Sequence, residues 1–234
     1  MAGRRACRSE GRALLDKPAK LRSWKQNPEA VRADILRVAR AEFARTGLSR
    51  TRIDDIAAKT KTSKRMVFYY FGDKESLYQA VLEEAYAEVR AGEAELDLED
   101  LAPDHALRKL VEFTFDHHRR NPDFIRLVMV ENIHDGSHMR NIERLAEQNV
   151  AAIRVLERIC EAGRSSGLFR EDISPLALHW RISAMSFFNV SNRATFTLNF
   201  GDSLFDEEGQ ALLREEAARS IVLSALRNPG GASV

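Results

Sequence analysis

The chain of 234 residues is poor in cysteine: it has two, Cys7 and Cys160, far apart in sequence. That is too few for a disulfide framework and offers no zinc-ligand spacing, so both are expected as free thiols, Cys160 in a helix core. Long apolar runs are lacking too. No stretch approaches the roughly 18 residues a membrane span needs, and the arginine-rich N-terminus has no apolar segment of the kind that makes a secretory signal. A cytoplasmic protein without a membrane partner is expected. Also missing are a glycine-rich phosphate loop, a nucleophile elbow and any constellation of acid and base groups. An enzyme is therefore not expected, and no catalytic residue, metal or cofactor is assigned. No β-strand or internal repeat is evident. With 44% hydrophobic residues, the chain can still bury a sizeable core, in one domain or in a small domain joined to a larger one.

Net charge is scarce, +1 overall, but it is unevenly placed: residues 1–28 carry +6, residues 29–78 carry +4, and residues 79–234 carry −9. A basic end on an acidic body suits phosphate binding by that end, because neutralising phosphates supplies most nonspecific DNA affinity. Residues 1–28 hold eight Lys/Arg with little periodicity and stop at Pro28. They read as an arm, either following a DNA backbone or minor groove or simply solvated, with Trp24 placed to dock on the domain.

From Glu29 to Thr46, Val31, Ile35, Leu36, Val38, Ala39 and Phe43 recur at three and four, which predicts a helix stopped by Gly47. The stretch TRIDDIAAKTKTSKRMVFYYFGDK, residues 51–74, then gives two short helices around a polar turn. Thr51 is placed to cap the first, which buries Ile53, Ile56 and Ala57; Ser63 caps the second, which carries Val67, Phe68 and Phe71 inward. Lys64, Arg65, Tyr69 and Tyr70 are left facing outward. Such a pair is a helix-turn-helix, whose second helix lies in the DNA major groove. Its turn commonly needs a left-handed residue, and here that place falls on Lys61, at a cost of roughly 1 kcal/mol for a side chain other than glycine. Lys61 is expected to compensate by reaching a phosphate.

The aromatic tail Phe68-Tyr69-Tyr70-Phe71, the break Gly72-Asp73 and the following Lys74-Glu75-Ser76-Leu77 resemble the TetR family of bacterial transcriptional regulators over about residues 30–80. The chain departs from the family pattern at Lys61-Thr62, where Gly-Val is usual, and at Arg65-Met66, where Gly-Thr is common. The resemblance implies an all-α fold: a three-helix DNA-binding head, residues 29–78, joined to a helical effector-binding and dimerisation domain, residues 79–227, with 228–234 as a tail. It implies a homodimer on a palindromic double-stranded DNA operator, with repression relieved by a small-molecule effector. The expected DNA-binding set is Thr51, Arg52, Lys61, Ser63, Lys64, Arg65, Tyr69, Tyr70 and Lys74. Arg65 is the candidate for bidentate contact with guanine, while Tyr70 and Lys74, carried over from the family, hold phosphates.

In the body, a linking helix from about Asp73 to Gly92 leads through an acidic linker containing Pro103. Helices are predicted from Leu107 through His118, from Phe124 to Ile133, from about Met139 to Gly163 with Val150 inward, from Pro175 to about Phe200, and from about Asp206 to Leu226 with Leu212 inward. Ser174-Pro175 is a strong start signal. The helix at 175–200 is apolar almost all round, so it should be covered on more than one side, by a twin. Phe113, His117, Met129, Met185, Phe188, Asn189 and Arg193 mix apolar surface with a few polar groups, the makeup of a small-molecule pocket; the alternative is a filled core. His134 and His138, four apart near Glu131, have metal-ligand spacing interrupted by Gly136, so a solvated loop is expected. Two other functions stay open: the same DNA-binding fold controlled by a protein partner, and a helical enzyme.

Overall fold

Prolines and polar side chains set where the helices begin. In the computed structural model, which describes residues 27–140 and 142–227, Asn27 accepts a hydrogen bond from the Ala30 N–H (3.2 Å), and Pro28 occupies the first turn of α1, Pro28–Arg50. Ser63 caps α3, Lys64–Phe71, after α2, Ile53–Lys59. Asp73 accepts from the Ser76 N–H (2.7 Å) at the start of α4, Lys74–Ala94. In the body, α5 (Pro103–Arg120) and α6 (Pro122–Ile133) each open on a proline, and α7 spans Glu143–Ser165. Ser174 and Pro175 start α8, Pro175–Ser191; α9 is Arg193–Phe200; Asp206 caps α10, Glu207–Ala225. Each side-chain cap of this kind contributes about 1 kcal/mol. Among the described residues the nearest thing to a strand is one isolated bridge, Phe169 with Leu226. The arm, Trp24, Cys7 and the tail lie outside the described residues.

Two cores organise these helices. The first joins Ile35, Leu36 and Phe43 of α1 to Ile56, Val67, Leu77, Tyr78 and Val81, then continues along α4 to Val89 and takes in Phe124, Ile125 and Leu127 of α6. The core built around the head therefore runs past residue 78 and uses a body helix as one wall. The second packs α5, α7, α8 and α10 around Leu107, Phe115, Leu156, Cys160, Phe169, Ile182 and Ile221. Cys160 is a buried free thiol, as its setting suggested.

Four expectations about packing are corrected. The helix anticipated over 175–200 is two, parted at Asn192, whose backbone angles (φ −102°, ψ 2°) leave the helical range while its carbonyl accepts from both the Phe196 N–H (2.9 Å) and the Thr195 hydroxyl (3.1 Å). Helix α7 begins at Glu143 rather than Met139, since Asp135 and Gly136 both take left-handed backbone angles and the chain needs several residues to recover. Val150 and Leu212 point outward, and so does Phe68, because the two-turn α3 buries one narrow stripe centred on Val67. Gly47, by contrast, breaks the end of α1 with φ of +72° as anticipated.

Candidate functional site

The turn of the helix-turn-helix closes without the strain the sequence suggested. Asp34 of α1, buried, accepts the Lys61 N–H through Oδ2 (2.9 Å) and the Arg37 guanidinium through Oδ1 (2.7 Å). The Thr60 hydroxyl donates to the Ala57 carbonyl (3.0 Å). Lys61 is not left-handed: the described residues other than glycine with positive φ are Asp97 and Asp135. Burial acts to raise the Asp34 pKa, but the Lys61 N–H and Arg37 outweigh it and hold the carboxyl below its usual value.

Around that turn the candidate DNA residues separate into two groups. Arg52, Lys61, Ser63, Lys64, Arg65 and Tyr69 are exposed along the start of α2, the turn and α3. Lys64 reaches Asp54 at 2.9 Å, while Tyr69 projects with 77% of its surface open and its ring edge-on to Tyr70 (5.4 Å). The second group is engaged internally. Thr51 does not cap α2, whose N-cap is Arg52; it is buried, and its hydroxyl donates to the Gly47 carbonyl (2.7 Å), closing α1. Lys74 donates to the carbonyls of Leu48 (2.8 Å) and Thr51 (3.2 Å), a cation on the C-terminal end of α1 where the helix dipole favours it. Tyr70, half-buried, packs on the first core.

A second feature lies at the far end of α4. A cavity of about 620 Å³ opens between α4, α5, α6, α7 and α8. Its apolar walls include Tyr86, Phe124, Trp180 and Phe187, and its polar groups include Arg90, Glu93, Thr114, His118 and His179. Arg90 Nη1 donates to Glu93 (2.6 Å) one turn along, yet Arg90 Nε, buried, has no partner. Nor does His118 Nδ1, on a side chain 7% exposed. Burial and then the neighbouring His117 push the His118 pKa down to about 4, and burial lowers His179 and raises Glu93.

None of the seven residues anticipated for a pocket lines this cavity. The Phe113 ring lies against Gly92, and His117 sits between Phe113 and Phe124. Met129 packs on the first core. Asn189 is spent on a buried amide pair with Gln210, bonded both ways (2.9 and 3.0 Å), that ties α8 to α10. Met185, Phe188 and Asn189 are nevertheless brought together along an apolar groove that Phe196, Phe205 and Leu213 also line, and Arg193 is exposed with its guanidinium 5.4 Å from the Phe205 ring centre. A signal for this cavity was available: Leu110, Thr114 and His118 are spaced by four and share one face of α5.

His138 is not a solvated loop residue. Its Nδ1 lies 3.0 Å from buried Glu131, which also accepts from the Tyr78 hydroxyl (2.9 Å). No group of three or more potential metal ligands occurs among the described residues.

Comparison with known proteins agrees with a helix-turn-helix head on a helical body. The model of bacterial regulatory proteins of the tetR family matches residues 35–81, and that of the tetracyclin repressor-like C-terminal domain matches residues 103–221. The HTH-type transcriptional repressor NicS of Pseudomonas putida is 37% identical over 186 residues, 80% of this chain and 88% of that protein. A TetR family transcription regulator from Marinobacter aquaeolei has the same fold, with a TM-score of 0.67 at 20% identity, over 87% of this chain and all of that one (100%). So does a tetR-family regulatory protein from Rhodococcus, with a TM-score of 0.65 at 24% identity, over 85% and 98% of the two chains. The chain belongs to the TetR family of bacterial regulatory proteins, as a DNA-binding transcriptional regulator with a helix-turn-helix head and an all-helical C-terminal domain.

Proposed function

We propose that the protein is a homodimeric repressor that sits on a palindromic operator through α3 and leaves it when a small molecule fills the cavity between α4 and α8. The observation that carries this reading is that one helix serves both ends. The first turn of α4 holds the recognition helix through Gly72 and Asp73, and its last turns, Tyr86 to Glu93, form a wall of the cavity. Repression is the role named for the Pseudomonas putida relative. A regulator working on DNA in this way is proposed to act in the cytoplasm, and no catalytic step is assigned to it. Among the described residues no helix is long and apolar enough to cross a membrane.

The dimer is supported by what α8, α9 and α10 leave uncovered. Met185, Phe188, Leu198, Phe200, Leu212 and Leu223 are exposed large apolar residues on these helices. Two copies joined there would present two recognition helices to one operator. On α3, Arg65 is the proposed base reader, and Lys64 and Tyr69 flank it. Arg52, Lys61 and Ser63 are proposed to hold the backbone, with Tyr70 and Lys74 as inner supports. Binding of Arg65→Ala to an operator array should weaken by about 1–3 kcal/mol and lose preference at one base pair. Uniform weakening on all sequences would remove Arg65 from base reading. A monomer by sedimentation that binds one half-site as tightly would end the dimer reading.

A further inference from the structure

The polar groups left without partners in the cavity say what kind of molecule it takes, an inference that rests on the cavity being the effector site. Basic nitrogens converge there from three helices: Arg90 on α4, His118 on α5 and His179 on α8. One carboxylate, Glu93, lines the same space, and it is already bonded to Arg90 Nη1. The neutral amides of Asn132 and Asn149 complete the polar lining from α6 and α7. Arg90 Nε and His118 Nδ1 are buried without any partner, which is costly for polar atoms unless something is meant to meet them. Tyr86, Phe124, Trp180 and Phe187 supply flat apolar walls, Tyr86 edge-on to Phe124 at 5.1 Å.

We infer that the cavity binds a small aromatic monocarboxylate, its carboxylate taken by Arg90 and His118 and its ring held among the aromatic walls, and that His118 takes up a proton from solvent as the acid binds. Arg90 is paired with Glu93 and burial favours the neutral forms of His118 and His179, so the empty cavity carries no excess positive charge, and an arriving carboxylate is balanced by the proton that His118 takes up. The proton count follows from the same arrangement. With the cavity empty, burial, His117, Arg90 and His179 all favour neutral His118, with only a backbone interaction with Ser186 acting the other way. A carboxylate beside the ring reverses that balance, because an opposite charge within a few ångströms favours the charged form. A neutral ligand of the same shape has no such effect. Binding of the acid should therefore tighten as the pH falls from about 8 to 6, until the ligand itself begins to protonate.

The test uses matched pairs, benzoate with benzamide and naphthoate with naphthamide, titrated calorimetrically into the full-length protein at about pH 7 in buffers of different ionisation enthalpy. The acids should bind at least about tenfold tighter than their amides, with uptake of up to about one proton. His118→Asn should abolish the uptake and cut the ratio of acid to amide affinity to about twofold or less; Arg90→Gln should reduce acid binding and keep the uptake detectable. Amides that bind as tightly as the acids, or acid binding by the wild-type protein with no proton taken up, would overturn the inference and leave the effector cavity standing. Failure of all four probes to bind would overturn both together.

Discussion

Tyr78 is fully buried at the junction of head and body, and replacing it with phenylalanine isolates one hydrogen bond between them. Its ring lies edge-on to Phe43 of α1 (5.0 Å), and its hydroxyl donates to Glu131 Oε1 of α6 (2.9 Å). Glu131 is 2% exposed and also accepts from His138, through Nδ1 (3.0 Å) and the backbone N–H (3.3 Å). Burial and Glu131 itself raise the Tyr78 pKa, so the phenol stays protonated and remains a donor at any working pH. Tyr78→Phe keeps the ring and removes that donor. A hydrogen bond to a charged group contributes about 1.5–3 kcal/mol, and His138 goes on satisfying part of the carboxylate, so the loss should fall near the lower end, about 1.5–2 kcal/mol. For a chain of this size each kcal/mol moves Tm by roughly 2–4 °C, giving a drop of about 3–8 °C.

The assay is thermal and urea unfolding of Tyr78→Phe, Glu131→Leu and the double variant. Glu131→Leu strands the Tyr78 hydroxyl in a dry core and should cost more than the phenylalanine change. Because the two side chains touch, the double variant should be more stable than the sum of the single losses predicts, by about 1–3 kcal/mol. Losses that simply add, or a Tyr78→Phe protein within about 0.5 kcal/mol of wild type, would refute the claim that this bond helps join the head to the body.

Two further outcomes follow from the head. Lys59 first, then Arg45, hold the buried Glu42 carboxyl below its usual value of 4.5 by hydrogen bonding. A depressed pKa gives stability that is present above the unfolded value and disappears as pH falls through the folded one, so the Tm gap between wild type and Glu42→Gln should be constant near neutrality and close below about pH 4.5; a gap that widens in acid would contradict the assignment. Gly72 has φ of +79° and ψ of −66° with nothing within 4 Å of a built Cβ, so Gly72→Ala should lose about 1–3 kcal/mol from backbone strain alone, read by urea unfolding, and an unchanged midpoint would show that the α3–α4 junction relaxes freely.

What could be read from the sequence was whatever local chemistry decides. Ser63, Asp73 and Ser174 cap where a polar residue precedes an apolar period, and Gly47 breaks α1, because these effects need no distant partner. Thr51 was misplaced by one element: a hydroxyl between two helices can serve either, and here the carbonyls ending α1 take it. The strain assigned to Lys61 vanished for a similar reason, since its N–H is met by Asp34, 27 positions away. The cavity was the least legible feature. A void is a residue of how five helices fail to meet, and no helix carries it alone; apolar residues with interspersed polar ones mark pockets, amide locks such as Asn189–Gln210 and outer faces equally. The adjacent histidines show how fine the distinction is. His117 and His118 are one residue apart, about 100° around the helix, and that rotation puts the second in the cavity and the first against Phe113.

On the proposed reading, the size of the signal can be set against the contacts available to send it. A release of operator by 5- to 150-fold corresponds to a coupling of about 1–3 kcal/mol, which a ligand supplies only by binding one arrangement of the heads better than another. That is about the strength of one charge-assisted hydrogen bond. Arg90 is therefore sufficient as the sensing contact if engaging Nε shifts the end of α4, because α4 passes without a break from the cavity to the cap beneath α3. A second path runs beside it: Phe124, Ile125 and Val128 of α6 line the cavity, and α6 packs directly on α1 in the head. The Tyr78–Glu131 bond joins these two helices. Motion of either one alone must strain or break it, so α4 and α6 are expected to move as a unit. Tyr78→Phe should then do more than lower stability. It should loosen the tie between the two walls and reduce the factor by which a bound ligand weakens operator binding, measured as operator affinity with and without saturating ligand. An unchanged factor in a destabilised protein would mean that α4 carries the signal by itself.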